Sequence, residues 1–232
     1  MQQAYRVLRV VAESQTIRIV LMLRPNELML KELHTACTDL KSENSRGIKA
    51  VVLDFKSITE TQLPHNATVL PAIIKQACLA VRDVEAPVLA VVRGTASAEV
   101  IALIQAADLT LVAHDAVLPV RGMGDDNNDT LTGEQAHRLG YITWSAPANL
   151  IDSEMTRILD MLREKSAVAL RLTKASTRLD VSSQPQGRDA EARLEALKQV
   201  NEFYLSHVMQ TADAGEGLHA FLEKRKPRWK NK

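Results

Sequence analysis

Apolar residues run almost without interruption through residues 86–116, and glycine or polar positions divide that run into short elements. The pattern predicts a buried strand over 87–92, a tight turn at Gly94, an apolar helix that begins within 96–99 and ends at Ala107, and a second strand over 109–113. A continuous apolar run bounded by glycine and proline is typical of a strand that is covered on both faces. Because the helix carries mostly Ala, Ile and Leu, we expect it to be buried as well.

Strands and helices also alternate on both sides of this central stretch. Asn26 is a candidate N-cap for the helix that follows Pro25, because an asparagine side chain accepts hydrogen bonds from the first helical N–H groups. The same criteria predict a hairpin over 5–11 and 17–23, strands over 48–55, 117–120 and 141–145, and helices over 68–84 and 133–139. This alternation favours an α/β spiral over a sandwich or a helical bundle.

The composition becomes helical from Ala148 onward, so we predict an α/β core over 1–147 and a helical oligomerisation region over 148–232. The second region has apolar residues at helical spacing that a small sheet domain would not cover, and we interpret them as an oligomer interface. These residues are Leu194, Leu197, Phe203, Tyr204 and Val208. The tail over 224–232 holds six basic residues. We expect a solvated end there, with anion binding as the alternative.

The composition argues against several classes of protein. The net charge is +1 and 46% of the residues are hydrophobic, which argues against a disordered chain and against bulk attraction to nucleic acid. No apolar run approaches the roughly 18 residues of a membrane span, so we expect a cytoplasmic, soluble protein with no nucleic-acid or membrane partner. Cys37 and Cys78 each lie in an amphipathic helical context, which favours two thiols over a disulfide or a metal site.

The segment over 122–129, GMGDDNND, is the clearest break in the apolar pattern. Its carboxylates and amides cannot belong to a core, so a solvated loop is the simplest interpretation. A calcium loop is the alternative, because alternate oxygen ligands suit a hard cation. The spacing lacks the terminal glutamate of an EF-hand loop, so the calcium signal is weak and we assign no metal-ligating residues.

The central stretch resembles the crotonase (enoyl-CoA hydratase/isomerase) superfamily, which includes lyases and isomerases. Members show a Pro-strand-Gly-x-Ala-x-Gly-Gly-Gly-helix-Asp-strand pattern, and Pro87, Gly94, Ala96 and Asp108 stand at the matching positions. A second similarity lies near the end of the chain, where the family has Asp-x-x-Glu-Gly-x-x-Ala-Phe followed by Glu-Lys-Arg. The matching residues here are Asp213, Glu216, Gly217, Ala220, Phe221, Glu223, Lys224 and Arg225.

The resemblance implies a spiral of β-β-α units that assembles as trimers or dimers of trimers. It also implies an acyl-CoA thioester as ligand, with no further cofactor, and an oxyanion hole of two backbone N–H groups. One donor is expected after the strand that ends at Leu53, and the other in the region of Ala98 and Glu99. Preorganised donors of this kind are worth about 10²–10³ in rate. Phe221 and Lys224 match positions that contact CoA in many members.

The chain also departs from the family pattern. The three glycines are replaced by Ala98, Glu99 and Val100, and the two hydratase glutamates fall on Ala102 and Gly122. The resemblance therefore implies an acyl-CoA or carrier-linked acyl thioester ligand without standard hydratase chemistry. The alternative is a non-catalytic paralogue that acts as a structural or interaction subunit.

Other polar residues near the predicted strand ends are candidates for acid–base groups in place of the two missing glutamates. His114 and Arg121 could act as an acid or base, although a role in a surface turn suits their positions better. Asp108 is better explained as a capping or ion-pairing residue than as a group that acts on substrate.

Overall fold

The computed structural model describes residues 5–40, 47–56, 69–119, 130–182 and 190–231. The described strands form a six-stranded sheet in the order β1-β2-β3-β4-β5-β8 and a separate pair, β6-β7. In the large sheet β1 is antiparallel to β2, and all the other neighbours are parallel. The strands are β1 Arg9–Glu13, β2 Thr16–Met22, β3 Ala50–Lys56, β4 Val88–Val92, β5 Leu109–Ala113, β6 Val117–Pro119, β7 Thr130–Thr132 and β8 Trp144–Ala146.

Helices connect and cover the strands. They are α1 Glu27–Asp39, α2 Pro71–Asp83, α3 Ala98–Ala106, α4 Gly133–Arg138, α5 Ile151–Arg163, α6 Ala167–Ser182, α7 Ala190–Phe203 and α8 Ala212–Leu222. A π-helical segment, Tyr204–Val208, extends α7. The predicted strands, hairpin and helices are confirmed with ends shifted by a few residues, except that the strand expected over 141–145 is limited to Trp144–Ala146.

The central strand, β4, lies inside the large sheet between β3 and β5. Every residue of β4 is buried, as the unbroken apolar run predicts. Asn26 caps α1 as expected, since its side chain accepts a hydrogen bond of 2.8 Å from the Met29 N–H. Cys37 and Cys78 are both thiols, as predicted.

A fully buried carboxylate joins three strands and α5. Asp54 on β3 accepts hydrogen bonds from Arg18 on β2, at 2.9 Å from Nε, and from Arg93 after β4, at 3.0 Å. Arg93 also donates to Asp152 in the first turn of α5 at 2.8 Å. A buried carboxylate is tolerated when it is paired and hydrogen-bonded in this way. The network holds α5 in place over the carboxyl ends of these strands.

The basic tail does not behave as a simple solvated end, which corrects the expectation from the sequence. The side chains of Lys224, Lys226, Arg228 and Lys230 are exposed, but the main chain is held against the helices. Asp213 at the start of α8 accepts from the backbone N–H groups of Lys230 and Asn231 at 2.7 and 2.9 Å. These bonds satisfy a carboxylate that is only 3% exposed.

The C-terminal helices present a large apolar surface. In the predicted stripe, Leu197 is 66% and Tyr204 48% exposed. Phe203 and Val208 are half-buried, and Phe203 stacks on His207 with ring centroids 4.7 Å apart. Other exposed apolar residues in and next to the π-helical segment and α8 are Leu205, Met209, Leu218, Phe221 and Leu222.

Candidate functional site

A cavity of about 360 Å³ lies beside α3. Helix α3 supplies one wall through Ala98, Ile101, Ala102 and Gln105, which recur at the i, i+3, i+4, i+7 spacing of a single helix face. The two alanines leave the space that longer side chains would occupy.

The position of α3 corrects one expectation from the sequence. The helix was expected to be buried, but only one side of it packs into the core, through Val100, Leu103 and Ala106. Its other side borders the cavity. An apolar helix with small residues on one face can be covered by a ligand as well as by protein, and sequence composition does not distinguish these cases.

The β6–β7 hairpin and α4 supply the opposite wall. Leu118 and Leu131 are register partners in the hairpin, and both line the cavity. Helix α4 begins directly after β7 with a capping box, in which Thr132 Oγ1 accepts from the Gln135 N–H at 3.2 Å and Gln135 Oε1 accepts from the Thr132 N–H at 2.9 Å. Ala136 on α4 lines the cavity as well.

The chain returns to the cavity through the turn that ends α4. Gly140 has φ +79°, a left-handed conformation that favours glycine. The turn is closed by hydrogen bonds from Gly140 N to His137 O at 3.0 Å and from Tyr141 N to Ala136 O at 2.9 Å. It places Tyr141 and Ile142 against the cavity.

The described lining is almost entirely apolar. Its polar side-chain groups are the amide of Gln105 and the hydroxyl of Tyr141, and it contains no carboxylate, imidazole, amine or thiol. Ala102, which stands where the resemblance places a hydratase glutamate, contributes only a methyl group. The described lining can therefore hold and orient an apolar group, and the Tyr141 hydroxyl is the one group in it of a kind that serves as a general acid or base.

The N-terminus of α3 lies at one end of this wall. Two backbone bonds fix the approach to it, from Ala96 N to Val117 O at 2.9 Å and from Ser97 N to Leu23 O at 3.3 Å. Ala98 is exposed and lines the cavity, whereas Glu99 is half-buried in the first turn and is not among the lining residues. A carboxylate in the first turn of a helix gains roughly 0.3–1 kcal/mol from the helix dipole.

Other candidate residues lie away from the cavity or outside the described residues. His114 is half-buried, and its backbone joins β8 and α4 through bonds to Ala146 O at 2.8 Å and from Glu134 N at 3.3 Å. Its side chain is not part of the described cavity lining. Arg121, Gly122 and the acidic segment over 122–129 lie outside the described residues.

The predicted structural role of Asp108 is confirmed. Its carboxylate accepts from the Val88 N–H at 2.7 Å and pairs with Lys174.

Phe221 and Lys224 lie together at the end of α8. Phe221 is 79% exposed, and Lys224 ends the helix with φ +52°. Bonds from Lys224 N to Phe221 O at 3.2 Å and from Arg225 N to Ala220 O at 3.0 Å complete a Schellman turn. The contact of Phe221 and Lys224 with CoA stays a prediction.

Among the residues that the structure describes, no group of three or more His, Cys, Asp or Glu side chains is arranged to hold a metal ion. None of the described helices is long and apolar enough to cross a membrane. The cytoplasmic location stays a prediction.

Solved structures of enoyl-CoA hydratases are similar to this chain over nearly its whole length. A putative enoyl-CoA hydratase from Streptomyces coelicolor A3(2) has a TM-score of 0.76 at 21% identity, covering 100% of this chain and 97% of that one. The enoyl-CoA hydratase from Bacillus anthracis has a TM-score of 0.75 at 19% identity, covering 98% and 100%. The Mycobacterium smegmatis enzyme has a TM-score of 0.74 at 20% identity, covering 96% and 98%.

No protein-family model matches the chain, and no curated protein sequence matches it significantly. The structural similarity shows that the chain has the crotonase fold of the enoyl-CoA hydratase/isomerase proteins, as the motifs around Gly94 and Glu216 predicted. At this level of identity the similarity establishes the fold, and function has to be argued from the cavity itself.

Sequence reasoning located the α3 wall but missed the other one. Leu131, Tyr141 and Ile142 did not stand out, because they reach the cavity from different elements. One signal was available, namely small residues at Ala98 and Ala102, four positions apart on one helix face.

Proposed function

We propose that this chain is a divergent member of the crotonase superfamily that binds a CoA-linked or carrier-linked acyl thioester, with the acyl chain in the cavity beside α3. The observation that carries the proposal is the apolar cavity of about 360 Å³ along the face of α3 that holds Ala98 and Ala102. Small-molecule sites are typically about 300–1,000 Å³ and mostly apolar with a few polar groups. This cavity lies at the smaller end of that range and suits one acyl chain.

Binding would be driven by burial of the acyl chain. Each buried methylene contributes about 0.8 kcal/mol, or roughly a fourfold gain in affinity. Affinity should therefore rise with chain length until the cavity is filled. In this arrangement the thioester lies near the N-terminus of α3, and the CoA moiety extends towards solvent.

Standard hydration is not part of the proposal. With Ala102 and Gly122 in place of two acid–base glutamates, hydration of a short enoyl-CoA should be at least about 10⁴ slower than in a competent hydratase. The carboxylate of Glu99 in the first turn of α3 would also repel an enolate oxygen that formed there. Lyase or isomerase chemistry would need groups other than these.

The proposal is tested by isothermal titration with CoA, butanoyl-CoA and octanoyl-CoA. The wild type should bind octanoyl-CoA at least tenfold more tightly than CoA. Ala102→Phe should abolish most of that difference, because the new ring fills the cavity. Ala72→Phe places the same ring at an exposed position on α2 and should leave the difference intact. Equal affinity of the wild type for CoA and octanoyl-CoA would overturn the proposal.

A second candidate function is that of an assembly subunit, and the exposed apolar surface of the C-terminal helices favours it. We propose that this surface packs against copies of the same chain in a trimer or a dimer of trimers. Side chains such as Leu197, 66% exposed, and Leu205, 54% exposed, are rarely clustered on a monomer surface. This role and acyl binding are compatible with each other.

Light scattering after size exclusion tests the assembly. A multiple of three chains is expected for the wild type, and Leu205→Glu should reduce it to smaller species. Leu79→Glu changes a leucine of α2 that is 48% exposed and should leave the mass unchanged. A wild type that remains monomeric at tens of micromolar would contradict the trimer.

A further inference from the structure

We propose that Gln105 selects acyl chains that carry a neutral hydrogen-bonding group, such as a hydroxyl, on the part of the chain farthest from the thioester. This inference rests on the proposed function and adds a substrate class to it. Gln105 is the one side-chain amide in the described cavity lining. The α3 positions that precede it on the same face are Ala98, Ile101 and Ala102, all of them apolar.

The place of Gln105 on the helix sets the position of the group that it would meet. Ala98 lies at the start of α3, and Gln105 lies seven residues further along the same face. At a rise of about 1.5 Å per residue, the two positions are about 10 Å apart along the helix axis. With the thioester near the helix N-terminus, Gln105 therefore faces the distal part of a medium-length acyl chain.

The chemistry of the lining indicates a neutral partner. A glutamine amide offers both donors and an acceptor, so it can serve a hydroxyl or a carbonyl group. The side chain of Gln105 makes no hydrogen bond to the described residues, so its amide is available to a ligand at the cavity rim. A charged group on the ligand would have no opposite charge in the described lining, and burying it would be costly.

An apolar side chain at position 105 would serve a simple acyl chain at least as well. Gln105 is exposed where it lines the cavity, so a hydroxyl on the distal end of the chain would meet the amide at the cavity rim and could form a hydrogen bond with it there. A site built to hydrogen-bond a ligand hydroxyl discriminates between hydroxylated and plain chains, whereas a purely apolar site does not. The amide thus gives the cavity a means of choosing between two chains of equal length.

The test compares octanoyl-CoA with 8-hydroxyoctanoyl-CoA by isothermal titration in the wild type, Gln105→Leu and Gln76→Leu. The readout is the ratio of the two dissociation constants, because a change that affects both ligands equally cancels in that ratio. Gln105→Leu should shift the ratio by about tenfold in favour of octanoyl-CoA, the effect of losing one or two hydrogen bonds. Gln76→Leu removes an exposed amide on α2 and should keep the wild-type ratio.

The position of the hydroxyl provides a second measurement. With 3-hydroxybutanoyl-CoA against butanoyl-CoA, Gln105→Leu should leave the ratio unchanged, because a four-carbon chain does not reach the amide. An unchanged ratio for the eight-carbon pair in Gln105→Leu would overturn this inference while leaving acyl binding intact. Failure of the wild type to bind either eight-carbon ligand would overturn the proposed function, and this inference with it.

Discussion

The ammonium group of Lys174 on α6 lies 2.6 Å from the carboxylate of Asp108, just before β5. Lys174 also donates to the Ala86 carbonyl at 3.0 Å, and Asp108 accepts from the Val88 N–H at 2.7 Å. One buried amine thus fixes α6 to the segments that enter β4 and β5. Burial lowers the pKa of Lys174, and the adjacent carboxylate opposes that effect. This network gives the motif aspartate a structural role.

Lys174→Met should therefore destabilise the fold. The substitution leaves the Asp108 carboxylate without its ion-pair partner, and we expect a loss of about 2–4 kcal/mol in the free energy of unfolding. Lys31→Met removes an exposed lysine from an i,i+4 pair with Glu27 and should cost about 0.5 kcal/mol or less. Urea denaturation measures both. Equal small effects would show that the Lys174–Asp108 pair adds little.

Gly133 at the start of α4 holds one wall of the cavity against β5. A Cβ atom there would lie 2.1 Å from the Ala113 carbonyl oxygen, so Gly133→Ala forces α4 away from the sheet. We expect a loss of about 1–3 kcal/mol, as for other overpacked sites, together with weaker acyl-CoA binding.

The matched control for Gly133 is Gly215 in α8, where a Cβ atom meets nothing within 4 Å. Gly215→Ala should raise stability by about 0.5–1 kcal/mol, because alanine loses less backbone entropy in a helix. Thermal unfolding of the two variants should therefore show shifts of opposite sign. A Gly133→Ala variant as stable as the wild type would contradict the close packing of α4 on β5.

Glu32 on α1 binds the segment before β1. Its carboxylate accepts from the backbone N–H groups of Arg6, Val7 and Leu8 at 2.8, 3.1 and 3.1 Å. Desolvation acts to raise the pKa of Glu32, but these three donors outweigh it and hold the pKa below its ordinary value of 4.5.

A carboxylate whose pKa is lowered by folding stabilises the protein above its unfolded pKa, and that contribution is lost as pH falls through the folded value. The wild type should therefore lose stability as the pH drops below 4.5. Glu32→Gln should be less stable at pH 7 and should show a weaker acid dependence. Identical pH profiles of unfolding for the two proteins would contradict the role of Glu32.

Trp229 reports whether the basic tail is held against the helices. Its indole N–H donates to the Glu164 carbonyl at 2.6 Å, and its ring packs on Gly217. Glu216 holds the same segment by accepting from Arg225 Nη1 at 2.5 Å and from the Arg228 N–H at 2.7 Å. The Arg225 hydrogen bonds, followed by that of Arg228, lower the pKa of Glu216 to about 2.

Glu216→Gln in a Trp144→Phe background should therefore release the tail and shift the Trp229 emission to longer wavelength at pH 7. The parent should show the same shift only in acid, because the anchoring of the tail is present above pH 4.5 and is lost as pH falls towards about 2. Glu195→Gln, at an exposed pair with Lys198, should leave the emission unchanged. An unchanged emission in Glu216→Gln would contradict this anchoring.

Much of the fold could be predicted from local patterns. A continuous apolar run predicts the burial of β4, and an asparagine just before a helix predicts the N-cap at Asn26. Both features depend on residues that are close together in the sequence. The docking of the tail could not be predicted in this way. It depends on the buried carboxylate of Asp213, which lies 17 residues from Lys230 and meets it only in the folded chain.

For the same reason, only the α3 wall of the cavity could be predicted from the sequence. The motif around Gly94 and the replacement at Ala102 pointed to α3, but the facing wall comes from the β6–β7 hairpin and from the turn at Gly140. The pairing of Leu118 with Leu131 spans a long interval of sequence, and no local pattern indicates it. Gln105 likewise has no distinguishing sequence signal, since an exposed glutamine on a helix is usually solvated.

Acyl binding beside α3 is tested most directly by locating the end of a bound acyl chain. An acyl-CoA with a diazirine on its terminal carbons is irradiated with the protein, and the labelled residues are identified by mass spectrometry. We expect label on cavity residues such as Ile101, Leu131 and Ile142, and excess octanoyl-CoA should prevent it. Label that falls only elsewhere, or that octanoyl-CoA does not displace, would contradict acyl binding beside α3.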